Sequence, residues 1–422
     1  MTNLTELAAL VNEASVRLAN VTSQTPLLPN VRLSSITGCK VWLKREDLQP
    51  VRSYKLRGAY NLMSQLTDEE RARGVVCASA GNHGQGVAWS CARLGIDGQV
   101  LVPSTTPRQK RDRILALGQG HIKLTITGDN YDASACAAKE LALQAGRTYV
   151  PAFDDLRTAA GQGTIAHEIV EQLGKAPDVI LIPIGGGGLM AGVAAWFRTH
   201  YPATRIVGVE PAGAACMLAA IQAGEPVQLA SIDTFVDGTA VSRAGDITFP
   251  IIQQAGPEII VVPEGQVCSE MLAMYQMDGI IAEPAGALAT SVLARGATDV
   301  SLDLAPGQTV VAIVSGGNND VSRYAEILER SLVHEGRKHY FLVNFPQEPG
   351  ALRRFLNDVL GPGDDITHFE YVKRSNREVG PALVGLEISD PNDLSGLLQR
   401  MEDCGMRVEQ LSAEGSFYRF LV

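Results

Sequence analysis

The string Ser53-Tyr54-Lys55-Leu56-Arg57-Gly58-Ala59 sets one lysine between an aromatic residue and a helix-like stretch. A lysine amine can form a Schiff base with a carbonyl compound and can carry a proton to or from carbon. On its own, a lysine closely followed by an arginine is more often a solvated helix face, so the chemical reading needs partners. Two glycine-containing turns supply them. Ser79-Ala80-Gly81-Asn82-His83-Gly84-Gln85-Gly86 follows the apolar run VVCAS and opens a helix-patterned segment. Such a turn offers backbone N–H groups and the positive end of a helix, which suits a carboxylate. Gly185, Gly186, Gly187, Gly188 and Leu189 follow VILIPI and open a second helix near Met190. Consecutive glycines let the backbone approach an anion closely, and a strand-to-helix junction favours a phosphate cradle over a merely flexible loop. The spacing is not the dinucleotide fingerprint, and no acidic ribose partner stands at the required distance. Ser315-Gly316-Gly317-Asn318 closes the set at the end of another apolar run, where the crevices of parallel sheets open.

The elements that must position these residues are legible as an alternation. Between about residue 40 and 330, short β-branched runs alternate with helix-patterned segments, the rhythm of βαβ units around parallel sheets. The runs are 41–46, 75–79, 99–104, 179–185, 205–211, 258–263 and 310–317. Several are apolar without alternation, as expected for strands covered on both faces. The chain is therefore α/β. After residues 322–332 a charged HEGRKH segment (334–339) marks a domain boundary. The tail reads strand 340–345, helix 349–360, strand 366–374, strand 382–388, helix 392–404 and strand 407–411, the βαββαβ order of a ferredoxin-like fold.

At 422 residues the chain needs two or three domains. Its formal net charge of -10, without any cluster of Lys and Arg, argues against nucleic acid as a partner. No stretch of about 18 apolar residues is present and charges interrupt the N-terminus, so neither a membrane span nor a signal peptide is expected. The seven cysteines are scattered and lack a C-x-x-C pair, which predicts reduced thiols, mostly buried, in a cytoplasmic protein.

With these strings in place, the chain resembles the fold-type II pyridoxal-phosphate enzymes and, within them, the threonine ammonia-lyases (threonine dehydratases). KREDLQPVRSYKLRGAYN (44–61), SAGNHGQGVA (79–88), the Gly185–Leu189 run, EPAGA (283–287) and SGGN (315–318) stand in the family's order. FPQEPGALRRFL (345–356) looks like the opening of the family's ACT-like regulatory domain, so the likeness spans nearly the whole chain. It implies a catalytic domain over residues 1–332, with a small subdomain at approximately 50–150 inserted in a larger one, each an open parallel sheet. Residues 339–422 form the ACT-like domain.

The resemblance also implies pyridoxal 5'-phosphate as cofactor and α,β-elimination of water from L-threonine, giving 2-oxobutanoate and ammonia, with L-serine also acted on. Lys55 would bind the cofactor as a Schiff base and remove the α-proton. Asn82 would hydrogen-bond the cofactor's phenolic oxygen, and Gly185, Gly186, Gly187, Gly188 and Leu189 would donate backbone N–H groups to its phosphate. Ser315 would face the pyridine nitrogen. Ser79, Gly81, Asn82 and His83 would hold the substrate carboxylate. Isoleucine as inhibitor and valine as its opponent follow from the tail by fold analogy, and a homodimer or homotetramer from the resemblance.

Departures from related patterns sharpen the expectation. Serine racemases resembling this chain carry serine where Ala80 stands, and alanine exchanges no proton, so racemisation is not expected. They bind a divalent cation beside a segment like residues 210–216 ending in an acid, where this chain has Cys216, so no tightly held magnesium or calcium is expected. His83 is a base by type, yet its place in a carboxylate-binding turn favours a positional role. Glu283 is a lone charge in an apolar stretch, either lining the cofactor ring or satisfied by local amides at a helix N-terminus. The competing readings are a catabolic serine/threonine dehydratase, against which the tail argues, and a non-catalytic amino-acid sensor, which would leave Lys55 without a covalent partner.

Overall fold

The computed structural model describes residues 3–294, 296, 299–371, 378–412 and 415. Two compact units are present, one of residues 1–295 and 299–320, the other of residues 296–298 and 321–422. Among its described residues the first contains ten strands: β1 (Leu27–Pro29), β2 (Lys40–Arg45), β3 (Val75–Ala78), β4 (Gly98–Val102), β5 (Ile122–Ile126), β6 (Thr148–Tyr149), β7 (Val179–Pro183), β8 (Arg205–Pro211), β9 (Glu258–Val262) and β10 (Thr309–Val314). They form two sheets, ordered β1-β2-β10-β7-β8-β9 and β5-β4-β3-β6. All pairings are parallel except β1 with β2. The chain thus leaves the larger sheet after β2, builds the smaller one, and returns at β7. Every residue of β3, β7 and β10 is buried, which is why those runs read as apolar without alternation.

Helices Leu156–Leu173 and Gly188–His200 cross the larger sheet's main core together with helix Leu4–Leu18. Their closest approach is made by two glycines. A Cβ on Gly192 would stand 2.1 Å from the Ala159 carbonyl oxygen and 2.8 Å from the Gly163 nitrogen. The backbones touch, and no side chain fits between them.

Beneath the N-terminus of helix Lys55–Met63 lies a cluster of four charges. Arg57 and Glu46 are wholly buried and form a forked pair, Nε to Oε2 and Nη2 to Oε1, both 2.8 Å. Arg57 Nη1 also reaches Glu168 Oε1 at 2.6 Å, and buried Lys44 Nζ reaches Glu168 Oε2 at 2.6 Å. Lys44 comes from the end of β2, Glu46 from the 3-10 turn Glu46–Leu48 that follows it, and Glu168 from helix Leu156–Leu173. The arginine that a local reading assigns to a solvated face is thus an internal anchor.

The second unit holds β11 (Lys338–Pro346), a helical turn Ala351–Arg354 widening into a π-turn at Phe355–Val359, β12 (Asp365–Tyr371), β13 (Val379–Glu387), helix Leu394–Asp403 and β14 (Arg407–Gln410). The antiparallel order β12-β13-β11-β14 is the ferredoxin-like arrangement, around a core that includes Phe341, Phe345, Phe355, Leu397 and Met401. Residues 372–374 of the expected strand lie outside the described residues. Helix Tyr324–His334 belongs to this unit, and its Glu329 accepts from the Tyr340 hydroxyl at 2.8 Å. Among the described residues no helix is long and apolar enough to cross a membrane.

Overpacking the glycine contact should be costly. Gly192→Ala is expected to destabilise the first unit by about 1–3 kcal/mol, read as a lowered midpoint in thermal unfolding, and an unchanged midpoint would show that the helices can separate at no cost.

Candidate active site

Backbone stitching brings the three strand-end turns and the lysine together. Tyr54 donates its N–H to the Ser315 carbonyl at 3.1 Å, and Gly317 donates to the Arg52 carbonyl at 2.9 Å. Ser53 bridges Gly316 across the same junction, so the segment before Lys55 runs along the exit of β10. Arg52 takes φ +56°, a left-handed value that is costly for a residue with a Cβ and typical of constrained sites. The turn bends the chain so that Lys55 begins its helix at the wall of a cavity of about 960 Å³. Lys55 Nζ donates to the Ala152 carbonyl at 3.3 Å.

Ser79, Gly81, Asn82, His83, Gly185, Gly186, Gly187, Gly188 and Leu189 line this cavity together with Lys55. Ser315 does not. It is buried at the end of β10, with Oγ donating to the Ala285 carbonyl at 3.0 Å. The turn's Asn318 lines the cavity in its place.

The glycine turn is held as a bare-backbone cup. A Cβ on Gly186 would stand 2.4 Å from the Phe153 ring, and one on Gly185 would stand 2.8 Å from the Thr239 carbonyl oxygen. Gly187 has φ +98°, so the left-handed turn that opens helix Gly188–His200 needs glycine for its conformation as well. From outside, Thr248 Oγ1 donates to the Gly186 carbonyl at 2.6 Å. Asp154 in turn accepts from the N–H groups of Asp246, Ile247 and Thr248 and so fixes the loop that carries Thr248. Amides at a helix N-terminus with no side chains in the way have the form of an oxyanion or phosphate receptor.

His83 is buried, and its Nε2 lies 2.8 Å from the Val150 carbonyl. A carbonyl only accepts, so Nε2 carries the hydrogen and Nδ1 is left without a protein partner. Burial pushes the imidazole down to about 4, against the pull of that hydrogen bond and with the Lys55 charge adding to the fall. The ring is neutral at physiological pH and a weak base.

Glu283, the last residue before helix Pro284–Ser291, makes no side-chain cap hydrogen bond. Instead it faces the cavity and accepts from Asn82 Nδ2 at 2.6 Å. Burial pushes its carboxyl up to about 7, the nearby Asp237 adds to the rise, and the Asn82 hydrogen bond opposes it. Sequence reasoning did not connect two residues 201 positions apart. Phe153 and Asp154 were missed too, although their place directly after β6 and before a long helix marks a switch between the two sheets.

A second buried acid supports the glycine cup. Glu210, at the end of β8, accepts from Met217 N–H and Leu218 N–H at 2.8 Å each and so caps helix Cys216–Ala223. The Met217 side chain packs under Gly187, and Cys216 Sγ lies 3.7 Å from the Gly185 carbonyl. Burial pushes the Glu210 carboxyl up to about 7, against the two amides. Five of the seven cysteines are buried, Cys216 among them, and none is joined to another by a disulfide among the described residues.

Comparison with known proteins supplies the context for this geometry. Residues 18–316 match the family of pyridoxal-phosphate dependent enzymes, and residues 329–421 match the C-terminal regulatory domain of threonine dehydratase. The chain is 57% identical to the biosynthetic L-threonine dehydratase of Mycobacterium bovis over 98% of its length and 95% of that protein's. Among solved structures, the processed threonine deaminase isoform 2 of Solanum lycopersicum superposes with a TM-score of 0.72 at 38% identity, covering 77% of this chain and 93% of that one. Maize serine racemase superposes with a TM-score of 0.69 at 28% identity, covering 77% and 98%.

The position of Glu210 has a pH signature. Its folded carboxyl titrates near 7 and its unfolded one near 4.5, so the folded chain holds the extra proton in that window. Stability from this group is full below about 4.5 and is lost as pH rises to 7. Glu210→Gln should remove that slope, and the loss of stability between about pH 5 and 8 should shrink by about 2 kcal/mol in urea denaturation. An unaltered slope would mean that Glu210 is ionised throughout.

Proposed function

Because the chain belongs to the pyridoxal-phosphate-dependent enzyme family, in its biosynthetic threonine dehydratase branch, and deaminates L-threonine, we propose a division of that reaction among its residues. The observation that carries the proposal is the convergence of Lys55, the 79–83 turn and the side-chain-free 185–188 cup on one cavity. The cup fits a phosphate, because backbone without Cβ atoms forms its wall, and of the two lysines lining the cavity Lys110 pairs with Asp237 at 2.9 Å while Lys55 stands at the start of its helix beside the cup. Pyridoxal phosphate, when bound, supplies the electron-withdrawing ring that makes loss of an α-proton possible.

The protein's own contributions are then five. Gly185, Gly186, Gly187, Gly188 and Leu189 bind and orient the phosphate through backbone N–H groups. Ser79 and the amides of Gly81 to His83 hold the substrate carboxylate at the N-terminus of helix Asn82–Leu94. Neutral His83 keeps that turn in place through Val150 rather than exchanging protons. Lys55 Nζ would hold the cofactor as a Schiff base and, once freed by the incoming amino acid, would take the α-proton. In net terms the α-hydrogen and the β-hydroxyl leave as one water, and hydrolysis of the resulting enamine after tautomerisation takes one water back, giving 2-oxobutanoate and ammonia. Ser315 Oγ donates to the Ala285 carbonyl, so it would have only lone pairs left for the ring nitrogen; a hydroxyl there in place of a carboxylate would leave the ring a weaker electron sink and favour prompt elimination over transamination.

Three finer assignments complete the reading. L-serine is a second substrate, since it differs by one methyl group, typically worth about 1–3 kcal/mol. The enzyme is a cytoplasmic homodimer or homotetramer whose product feeds isoleucine synthesis. Isoleucine inhibits and valine opposes it through the second unit. A concavity of about 570 Å³ in that unit supports the last point, because Phe345, Phe369 and Tyr371 give it apolar walls suited to a branched aliphatic side chain.

Replacing Lys55 by alanine should abolish both the visible absorption of bound cofactor and keto acid formation, lowering the rate at least about 10³-fold. Retained activity would remove the assignment. For the tail, initial rates of 2-oxobutanoate formation from L-threonine should fall with isoleucine and recover with valine, and rates unmoved by isoleucine would sink the regulatory reading.

A further inference from the structure

The side-chain amide of Asn82 is fixed in one orientation by a chain of donors and acceptors. The Val51 carbonyl can only accept, so the group of Asn318 facing it at 2.8 Å is Nδ2. That same Nδ2 lies 2.7 Å from Asn82 and must meet an acceptor, which places Asn82 Oδ1 there. Asn82 Nδ2 is thereby turned to Glu283 Oε1, at 2.6 Å. One hydrogen of Nδ2 is used on Glu283, and the other remains on a residue that lines the cavity.

A Cβ on Gly316 would stand 2.3 Å from Glu283 Oε1, so glycine there is what leaves room for it. The Asn318 backbone N–H also donates to Glu283, so its hydrogen-bonding neighbours, Asn82 and Asn318, are both donors. The charged groups facing it are Asp237 and Lys110, which pair with each other at 2.9 Å.

We propose that Glu283 is a positioning residue of the reaction: as a carboxylate it holds Asn82 so that the amide can only donate, through its remaining N–H, to an oxygen of the bound cofactor. The inference rests on the proposed contact of Asn82 with the cofactor. It adds a requirement on the charge of Glu283, since protonation puts an O–H among groups that are already donors and loosens the amide. With that carboxyl lifted to about 7 by burial, the grip weakens as pH falls through neutrality. Asp237 pushes this transition up and Lys110 pulls it down.

The test uses the full-length, cofactor-loaded enzyme with Glu283→Gln, Glu283→Ala and Asn82→Ala, following the cofactor's visible absorption and kcat for L-threonine from about pH 5.5 to 9. An acid limb near pH 7 is expected in the parent, and its absence there overturns the inference; Glu283→Gln keeps an acceptor for Asn82 and the side-chain volume but cannot titrate, so the limb should vanish in it. Glu283→Ala should shift the absorption in the same direction as Asn82→Ala and lower kcat about tenfold, or ~1.4 kcal/mol, with KM little changed. An acid limb with the parent's midpoint in Glu283→Gln overturns the inference. So does a parental spectrum in Glu283→Ala beside a shifted one in Asn82→Ala. Should Asn82→Ala itself keep the parental spectrum, the cofactor contact of Asn82 falls and takes this inference with it.

Discussion

Arg57, Lys44, Glu46 and Glu168 gather two positive and two negative charges almost out of reach of water, and the place of Lys55 follows from how they pair. An isolated ion in such surroundings costs several kcal/mol, and a pair is tolerated only with good geometry and its remaining hydrogen bonds made. Here the forked Arg57–Glu46 contact, the second fork to Glu168 and the Lys44 bond meet those terms. Sliding helix Lys55–Met63 by one turn would strand a carboxylate in the interior. The cluster therefore sets the register of that helix against β2 and helix Leu156–Leu173. Lys55, two residues from Arg57, inherits its height at the cavity wall.

A division of labour in polarity runs through the cavity. At the 79–83 turn and the glycine cup backbone lines the cavity, and burial disfavours the charged forms of the ionisable side chains His83, Glu210 and Glu283. His83 has lost its charge at physiological pH, and Glu210 and Glu283 sit near half-ionisation. Fixed backbone dipoles need no rearrangement when charge shifts during reaction, and the cations Arg52, Lys55, Lys110 and Arg113 line the same cavity.

What could be read from the amino-acid order follows from the range of the interactions. Strands covered on both faces, such as Val179–Pro183 and Thr309–Val314, announce themselves because nearly every position must be apolar. Ile122–Ile126, a half-exposed edge strand with Lys123 and Thr125 in it, and the two-residue Thr148–Tyr149 carry too little signal, and both were passed over. Glycine turns were legible because conformation and close approach are local demands. Arg57 was not, since its partners Glu46 and Glu168 lie 11 and 111 residues away and only the fold makes an interior of their meeting point. Glu283 was seen as an oddity without a partner for the same reason.

Phe153 and Gly186 share one volume, the ring standing where any side chain at 186 would begin. Seen historically, the two codons are bound together. A lineage that enlarged position 186 first would lose the cup, and one that trimmed Phe153 first would open a hole against Gly186 and Gly188 before gaining anything. Each single step leads downhill, so variation at the pair requires both changes at once. The cup is thereby kept by inheritance on two distant stretches of the gene, even where selection sees only one of them.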